Sequence, residues 1–167
     1  PLRSGSTELA RAILSNEGAN SPLDRWFGGQ AGLLVFPEYS FAPEQFTELD
    51  RLVNEYPGRA VVLAGFGPLT SAQITGLLAT CIPTWEGGIA WLDSTREYNG
   101  GCGWVRVSDQ EVHKIVFLKN YFEQREQLGL LENACEGTHI VEIALRDLSI
   151  YPLVCADVIS QRANCPI

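Results

Sequence analysis

The sequence predicts a mixed α/β fold, in which helices pack on a sheet that contains both parallel and antiparallel strands. The first half of the 167 residues alternates between helical and strand periodicity, whereas the second half is dominated by short strand-like runs separated by turns. Hydrophobic residues make up 46% of the chain, which is ample for a core. We therefore expect one domain spanning residues 1–167, since domains commonly run to ~100–150 residues.

The first half of the chain contains five predicted elements. In chain order they are helix 6–19, strand 31–37, helix 44–55, strand 60–64 and helix 71–78. The helix over 44–55 is the clearest, because apolar residues recur at helical spacing from Phe46 to Val53 and Pro57-Gly58 follows. The two strands are short runs of apolar and β-branched residues, which are typical of buried strands.

The second half is predicted to form hairpins. Strands over 103–107 and 112–118 make the first hairpin, and strands over 138–145 and 148–154 make the second. Further elements are weaker in pattern: a strand at 89–92, helical turns within 120–131, and a helix at 157–163. Hairpins in this half argue against a strictly alternating βαβ barrel.

Three apolar runs each end in a residue that can do chemistry. The run from Gly32 ends at Glu38, the run from Ile115 ends at Lys119, and the run from Pro152 ends at Cys155. Ligands in open α/β sheets bind outside the carboxyl ends of the strands, so we expect these side chains to share one site. A carboxylate base, a cation and a thiol are the groups that thiol-based acyl transfer requires.

Composition excludes several classes of function. A net charge of −8 argues against a nucleic-acid partner, and no apolar run reaches the ~18 residues needed to cross a membrane. The five cysteines are odd in number and none form a C-x-x-C pair, so a reducing, cytoplasmic setting is favoured over a disulfide framework or a zinc site. We predict neither a metal nor a cofactor.

The chain has only two lysines, so Lys114 is the alternative to Lys119 as the cation. Lys114 precedes the apolar run instead of ending it, which should place it toward the opposite end of the strand. Each candidate alone also has a structural interpretation. Cysteine is among the most buried residue types, and a carboxylate or an amine at a strand end is usually solvated.

Two of these sequence motifs resemble the carbon–nitrogen hydrolase (nitrilase) superfamily. Pro37-Glu38 after an apolar strand resembles the family's Pro-Glu motif, in which the glutamate is the general base. Cys155-Ala156-Asp157, also after an apolar strand, resembles its nucleophile motif. The resemblance implies that Cys155 is the nucleophile and that Ala156 and Asp157 support it.

The resemblance extends to the lysine and to the overall fold. It implies that Lys119 is the catalytic cation and that Glu126 is a supporting carboxylate. It further implies a four-layer αββα sandwich, a homodimer, and hydrolysis of a small amide, carbamoyl compound or nitrile through a thioester. Because no strand precedes the first helix and only twelve residues follow Cys155, we expect about half of that sandwich, incomplete at both ends. A non-catalytic binding or regulatory relative is the alternative.

Overall fold

The computed structural model of this chain describes residues 2–14, 32–81, 92–108, 110–120 and 134–154. The helices within them are α1 (Leu2–Leu14), α2 (Phe46–Glu55) and α3 (Ser71–Leu78), and a 3-10 turn at Pro43–Gln45 precedes α2. The strands are β1 (Gly32–Phe41), β2 (Ala60–Thr70), β3 (Glu97–Ser108), β4 (Glu111–Leu118), β5 (Ile143–Ala144) and β6 (Ser149–Ile150). The predicted mixed α/β class is confirmed.

The main sheet has the strand order β1-β2-β3-β4. β1 and β2 run parallel and are joined through α2, whereas β2 with β3 and β3 with β4 are antiparallel pairs. The carboxyl ends of β1, β2 and β4 therefore lie at the same edge of the sheet, next to the amino end of β3. This edge is where the sequence places Glu38 and Lys119.

One face of the sheet packs against the helices and forms the main core. Phe46 at the start of α2 stands in the middle of an aromatic cluster, with its ring 5.8 Å from that of Phe66 and 6.1 Å from that of Trp104. The carboxyl end of α2 is fixed to the sheet by Arg106, whose guanidinium donates to the backbone oxygens of Val53 and Asn54 at 3.3 and 2.8 Å. A basic side chain suits this position, because the last carbonyls of a helix lack helical partners.

The opposite face of the sheet is only partly covered. Val61, Leu63 and Phe117 form a second apolar cluster with Ile143 and Val154, which come from the segment around the short β5–β6 hairpin. On the edge strand β1, two neighbouring side chains are much more exposed, Leu33 at 47% and Val35 at 57%. Both faces of the sheet are therefore apolar. This agrees with the sequence of β2, in which the residues that face either side are apolar.

Several element boundaries differ from those predicted. β1 continues past Pro37 to Phe41, β2 continues past Ala64 to Thr70, and β3 begins at Glu97. The second hairpin is real but short, since only 143–144 and 149–150 pair. Alternating apolar residues identify the buried face of such a segment. The number of residues that pair depends also on the partner strand, which the pattern of one segment does not describe.

The remaining predicted elements lie largely outside the described residues. These are most of the strand at 89–92, the helical turns over 120–131 apart from Asn120, and the helix at 157–163. Among the helices of the described ranges, none combines the length and apolar character needed to cross a membrane.

Candidate active site

Three polar side chains from different strands meet at the carboxyl-end edge of the sheet. Glu38 comes from β1, Asn99 from the start of β3, and Lys119 directly follows β4. The sequence predicted Glu38 and Lys119 for this site and did not identify Asn99. The three side chains are linked by hydrogen bonds, although β2 lies between β1 and β3 in the sheet.

A bulge in β1 carries Glu38 toward the middle of the sheet. The regular register pairs Phe36 with Ala64, and pairing resumes only at Phe41 with Phe66, so residues 37–40 stand opposite the single residue Gly65. A side chain at Gly65 would not fit, because a Cβ there would lie 2.6 Å from the Pro37 oxygen and 2.7 Å from the Glu38 Cα. Because Gly65 has no side chain, β1 can lie this close to β2.

The residue after Glu38 has an unusual backbone conformation. Tyr39 has a φ of 63°, in the left-handed region that costs a non-glycine residue roughly 1–2 kcal/mol. Bulges and residues of this kind re-aim side chains, and both are found disproportionately at functional sites. The bulge and the left-handed residue together turn Glu38 toward Lys119 and Asn99.

Lys119 and Glu38 form a buried ion pair. Lys119 Nζ donates to Glu38 Oε1 at 3.2 Å, and the two side chains are 0% and 15% exposed. The Lys119 backbone is fixed on both sides, since its N–H donates to the Asn99 oxygen at 2.8 Å and its oxygen accepts from Gly137 at 2.7 Å. Charged side chains are almost never fully buried unless they are paired, and Glu38 supplies the opposite charge.

Asn99 is the member of the site that sequence reasoning missed. Its side-chain amide donates to Glu38 Oε1 and, at 3.2 Å, to the Tyr39 hydroxyl oxygen. The residue is 1% exposed, which is unusual for asparagine. The only available signal was a polar residue at the start of a glycine-rich strand, which is more often a turn signal than a site.

The alternative lysine lies elsewhere. Lys114 is in the middle of β4, opposite Trp104 in the register, and its Nζ donates to Asp50 of α2 at 2.9 Å on the helix side of the sheet. Asp50 also accepts from the Trp104 indole N–H at 2.6 Å. The structure therefore pairs Lys119 with Glu38 and pairs Lys114 with a carboxylate in the helix–sheet interface.

The other predicted site residues lie outside the described part of the chain. These are Cys155 and the supporting residues Glu126, Ala156 and Asp157. Val154 is the last described residue and immediately precedes Cys155. Val154 is buried and belongs to the same apolar cluster as Leu63 and Phe117. Phe117 lies two residues before Lys119 in the sequence.

Two further thiols are buried in the core on the helix side. Cys102 is fully buried, and burial raises its pKa well above the usual range, although the Lys114 charge opposes the rise. Burial also raises the pKa of Cys81, again against the effect of Lys114. Because the thiolate is the reactive form, both thiols should be poor nucleophiles.

The arrangement offers an acid–base group beside a fixed positive charge. A carboxylate that is partly exposed can accept a proton from a neighbouring group, and a buried ammonium can stabilise negative charge that develops on a substrate. In the described ranges, no group of three or more His, Cys, Asp or Glu side chains is arranged to hold a metal ion. Comparison with family models, with curated proteins and with solved structures finds no match for this chain.

Proposed function

We propose that this chain is an amidase-like hydrolase of non-peptide carbon–nitrogen bonds, with Glu38 as base, Lys119 as cation and Cys155 as nucleophile. The observation that carries the proposal is the buried Lys119–Glu38 pair at the carboxyl-end edge of the sheet. The position of Val154 adds support, because Cys155 is covalently attached to a residue that packs in the cluster containing Phe117. The three proposed groups come from widely separated parts of the sequence.

Each proposed step transfers a proton to or from Glu38. Glu38 accepts the thiol proton of Cys155 while the sulfur forms a bond to the substrate carbonyl carbon, and the Lys119 ammonium stabilises the negative oxygen. Collapse of this intermediate breaks the carbon–nitrogen bond, and the proton on Glu38 passes to the leaving amine. Glu38 then takes a proton from the water molecule that attacks the thioester carbon. Collapse of this second intermediate breaks the carbon–sulfur bond and releases a carboxylic acid, and Glu38 returns the proton to the Cys155 sulfur.

The same residues would serve amides, carbamoyl compounds and nitriles, and a primary amide is the simplest test substrate. Ala156, Asp157 and Glu126 are proposed to support the three reacting groups. We also propose the four-layer αββα sandwich, in which a second sheet covers the partly exposed face carrying Leu33 and Val35, and pairing of two copies as a homodimer. The free thiols Cys81, Cys102 and Cys135 suit a reducing, cytoplasmic location.

The experiment that tests this function replaces Cys155 by Ala in the full-length protein. Release of ammonia is measured from a panel of small primary amides. We expect kcat to fall by roughly 10³-fold or more, because groups that act as a unit are not replaceable by one another. Turnover equal to that of the unmodified protein would exclude Cys155 as nucleophile.

Thiol labelling separates this function from a non-catalytic binding module with the same fold. An active Cys155 should react with iodoacetamide much faster than Cys81 and Cys102, whose raised pKa leaves little thiolate at neutral pH. Site-resolved labelling rates from mass spectrometry give the comparison. Equal, slow labelling at all three positions would favour the binding module.

A further inference from the structure

Among the described residues, the side chain of Asn99 forms hydrogen bonds with Glu38, with the neighbouring Tyr39 and with the backbone of Gly100. Its Oδ1 accepts from the Gly100 N–H at 2.8 Å, and its Nδ2 donates to Glu38 Oε1 and to the Tyr39 hydroxyl oxygen. We propose that Asn99 is a positioning residue that holds Oε1 of Glu38, so that the second oxygen, Oε2, accepts and releases the proton. This inference deepens the proposed function and rests on it.

The orientation of the Asn99 amide is determined by the backbone. Gly100 presents an N–H donor to Oδ1, and an N–H can be satisfied only by the oxygen of the amide and not by its nitrogen. Nδ2 must therefore face the other way, toward Glu38 and Tyr39. An asparagine in this position has one acceptor and one donor group, and both are used.

Asn99 also connects Glu38 to the backbone of Lys119. Its side chain bonds to Glu38, while its backbone oxygen accepts from the Lys119 N–H at 2.8 Å. One residue on β3 thereby contacts the carboxylate from β1 and the backbone of the lysine that follows β4. Reacting groups need this control, since a misplacement of about 1 Å can cost roughly 100-fold in rate.

Two donors on one oxygen make the two oxygens of Glu38 unequal. Oε1 accepts from both the Lys119 ammonium and the Asn99 amide, so protonating it would disturb two hydrogen bonds. Oε2 can take a proton without breaking either bond. Among the described residues, the charged group bonded to Glu38 is the Lys119 ammonium, and the titratable Tyr39 hydroxyl accepts from the same Asn99 amide that donates to Glu38.

The test removes the Nδ2 donor of Asn99 and keeps the shape of its side chain. Asn99→Asp keeps an acceptor for the Gly100 N–H but places an oxygen where Nδ2 stood, next to Glu38. Loss of a donor and the arrival of a like charge both favour the protonated form of Glu38, so its pKa should rise. Asn99→Ser is the neutral second variant, which loses the bond without adding a charge and guards against misfolding of the first.

Two readouts are required. The pH titration of the Glu38 carboxyl carbon, followed by NMR on the substrate-free full-length protein, should move upward by about one pH unit or more in Asn99→Asp and upward by less in Asn99→Ser. The acidic limb of kcat/KM should move in the same direction, and kcat should fall about 100-fold while KM changes little. If Asn99 had a purely structural role, its variants would have a lower folded fraction, but the Glu38 titration and the pH dependence of kcat/KM would not move.

Asn54→Asp is the matched control. Asn54 is exposed on α2 and donates to the Asp50 backbone oxygen at 2.7 Å, so this variant makes the same chemical change away from Glu38. Its Glu38 titration should match that of the unmodified protein. An unchanged Glu38 titration in folded Asn99 variants would overturn the positioning role. An unmodified protein without amidase activity would instead overturn the proposed function, and the NMR result would still report on the Asn99 contact.

Discussion

Lys114 and Lys119 belong to the same stretch of chain and both are buried, yet they form ion pairs of different design. Lys114 pairs with Asp50, whose two carboxylate oxygens have different partners: Oδ2 accepts from Lys114 and Oδ1 accepts from Trp104. Lys114 also lies 5.7 Å from the centre of the Trp104 ring. This group connects α2 to two strands of the sheet and involves both oxygens of its carboxylate.

The Lys119–Glu38 pair lies at the ends of the strands and concentrates its donors on one oxygen. Lys119 and Asn99 both donate to Oε1 of Glu38. A carboxylate with both oxygens held by strong donors is suited to cohesion, whereas one held through a single oxygen is fixed in place and can still accept a proton. Burial of a lysine therefore does not by itself mark a site, and the distribution of donors around its partner is more informative.

The largest expected difference between the two pairs is in turnover. Lys119→Arg keeps a positive charge but changes the donor geometry, and kcat should fall by roughly 10²–10³-fold, as for the loss of one oxyanion donor. Lys114→Arg should leave kcat of the folded protein unchanged, because the Asp50 interface takes no part in the proposed reaction. Ammonia release per folded molecule measures both. If Lys114→Arg lost turnover and Lys119→Arg did not, Lys114 and not Lys119 would be the catalytic cation.

The next largest expected effect is on the stability of the protein, and it concerns the Lys114–Asp50 pair. Lys114→Met leaves Asp50 without its cation, which should lower the free energy of unfolding by about 2–3 kcal/mol. This is below the ~3–5 kcal/mol typical of a deeply buried pair, since the Asp50 side chain is 33% exposed. Urea unfolding measures the loss, and the turnover of the folded fraction should be retained.

A double variant checks that the loss comes from the ion pair. Asp50→Asn keeps an acceptor for the Trp104 N–H while removing the charge. Lys114→Met combined with Asp50→Asn should be less destabilised than the sum of the two single variants, because the second change removes the uncompensated charge left by the first. Simple additivity would show that Lys114 contributes by packing alone.

The smallest expected effect comes from the backbone contact between β1 and β2. Gly65→Ala places a methyl group against the Pro37 oxygen and the Glu38 Cα, and such overpacking typically costs about 1–3 kcal/mol. The strain falls on the β1 bulge, so kcat should drop beyond what the unfolded fraction explains, while the Lys114–Asp50 pair is undisturbed. Urea unfolding and ammonia release are the measurements.

Gly76→Ala in α3 is the control for this substitution. A Cβ at Gly76 meets no atom within 4 Å, so alanine should stabilise the helix by up to about 1 kcal/mol. If Gly65→Ala proved as harmless as Gly76→Ala, the close approach of β1 and β2 would not be what directs Glu38.

Sequence patterns predicted the positions of Glu38 and Lys119 because each follows an apolar run, and such runs indicate buried strands. They misplaced the end of β1, because Pro37 lacks an N–H and therefore resembles a strand end. On an edge strand that missing donor is tolerated, and the strand continues. The bulge itself depends on register with β2, which is a relation between two segments and cannot be read from either alone.

Asn99 could not be predicted for a related reason. Its importance comes from contacts with Glu38 and Tyr39 of β1 and with Lys119 after β4, which the fold brings to Asn99 on β3. The Lys114–Asp50–Trp104 group was missed in the same way, because an aspartate on a helix and a lysine in a strand look solvated in isolation. Local patterns describe the elements well, whereas polar contacts between elements require the assembled sheet.

The bulge in β1 also bears on how freely this site could change during evolution. Phe36 and Phe41, on either side of it, are both buried, and their rings meet edge to face with centroids 5.0 Å apart. The four residues between them are therefore tethered at both ends by the core, while they take no part in the regular register. Substitutions there can alter the surroundings of Glu38 without re-aligning any strand, so chemistry at this edge can diversify while the architecture beneath it is inherited intact.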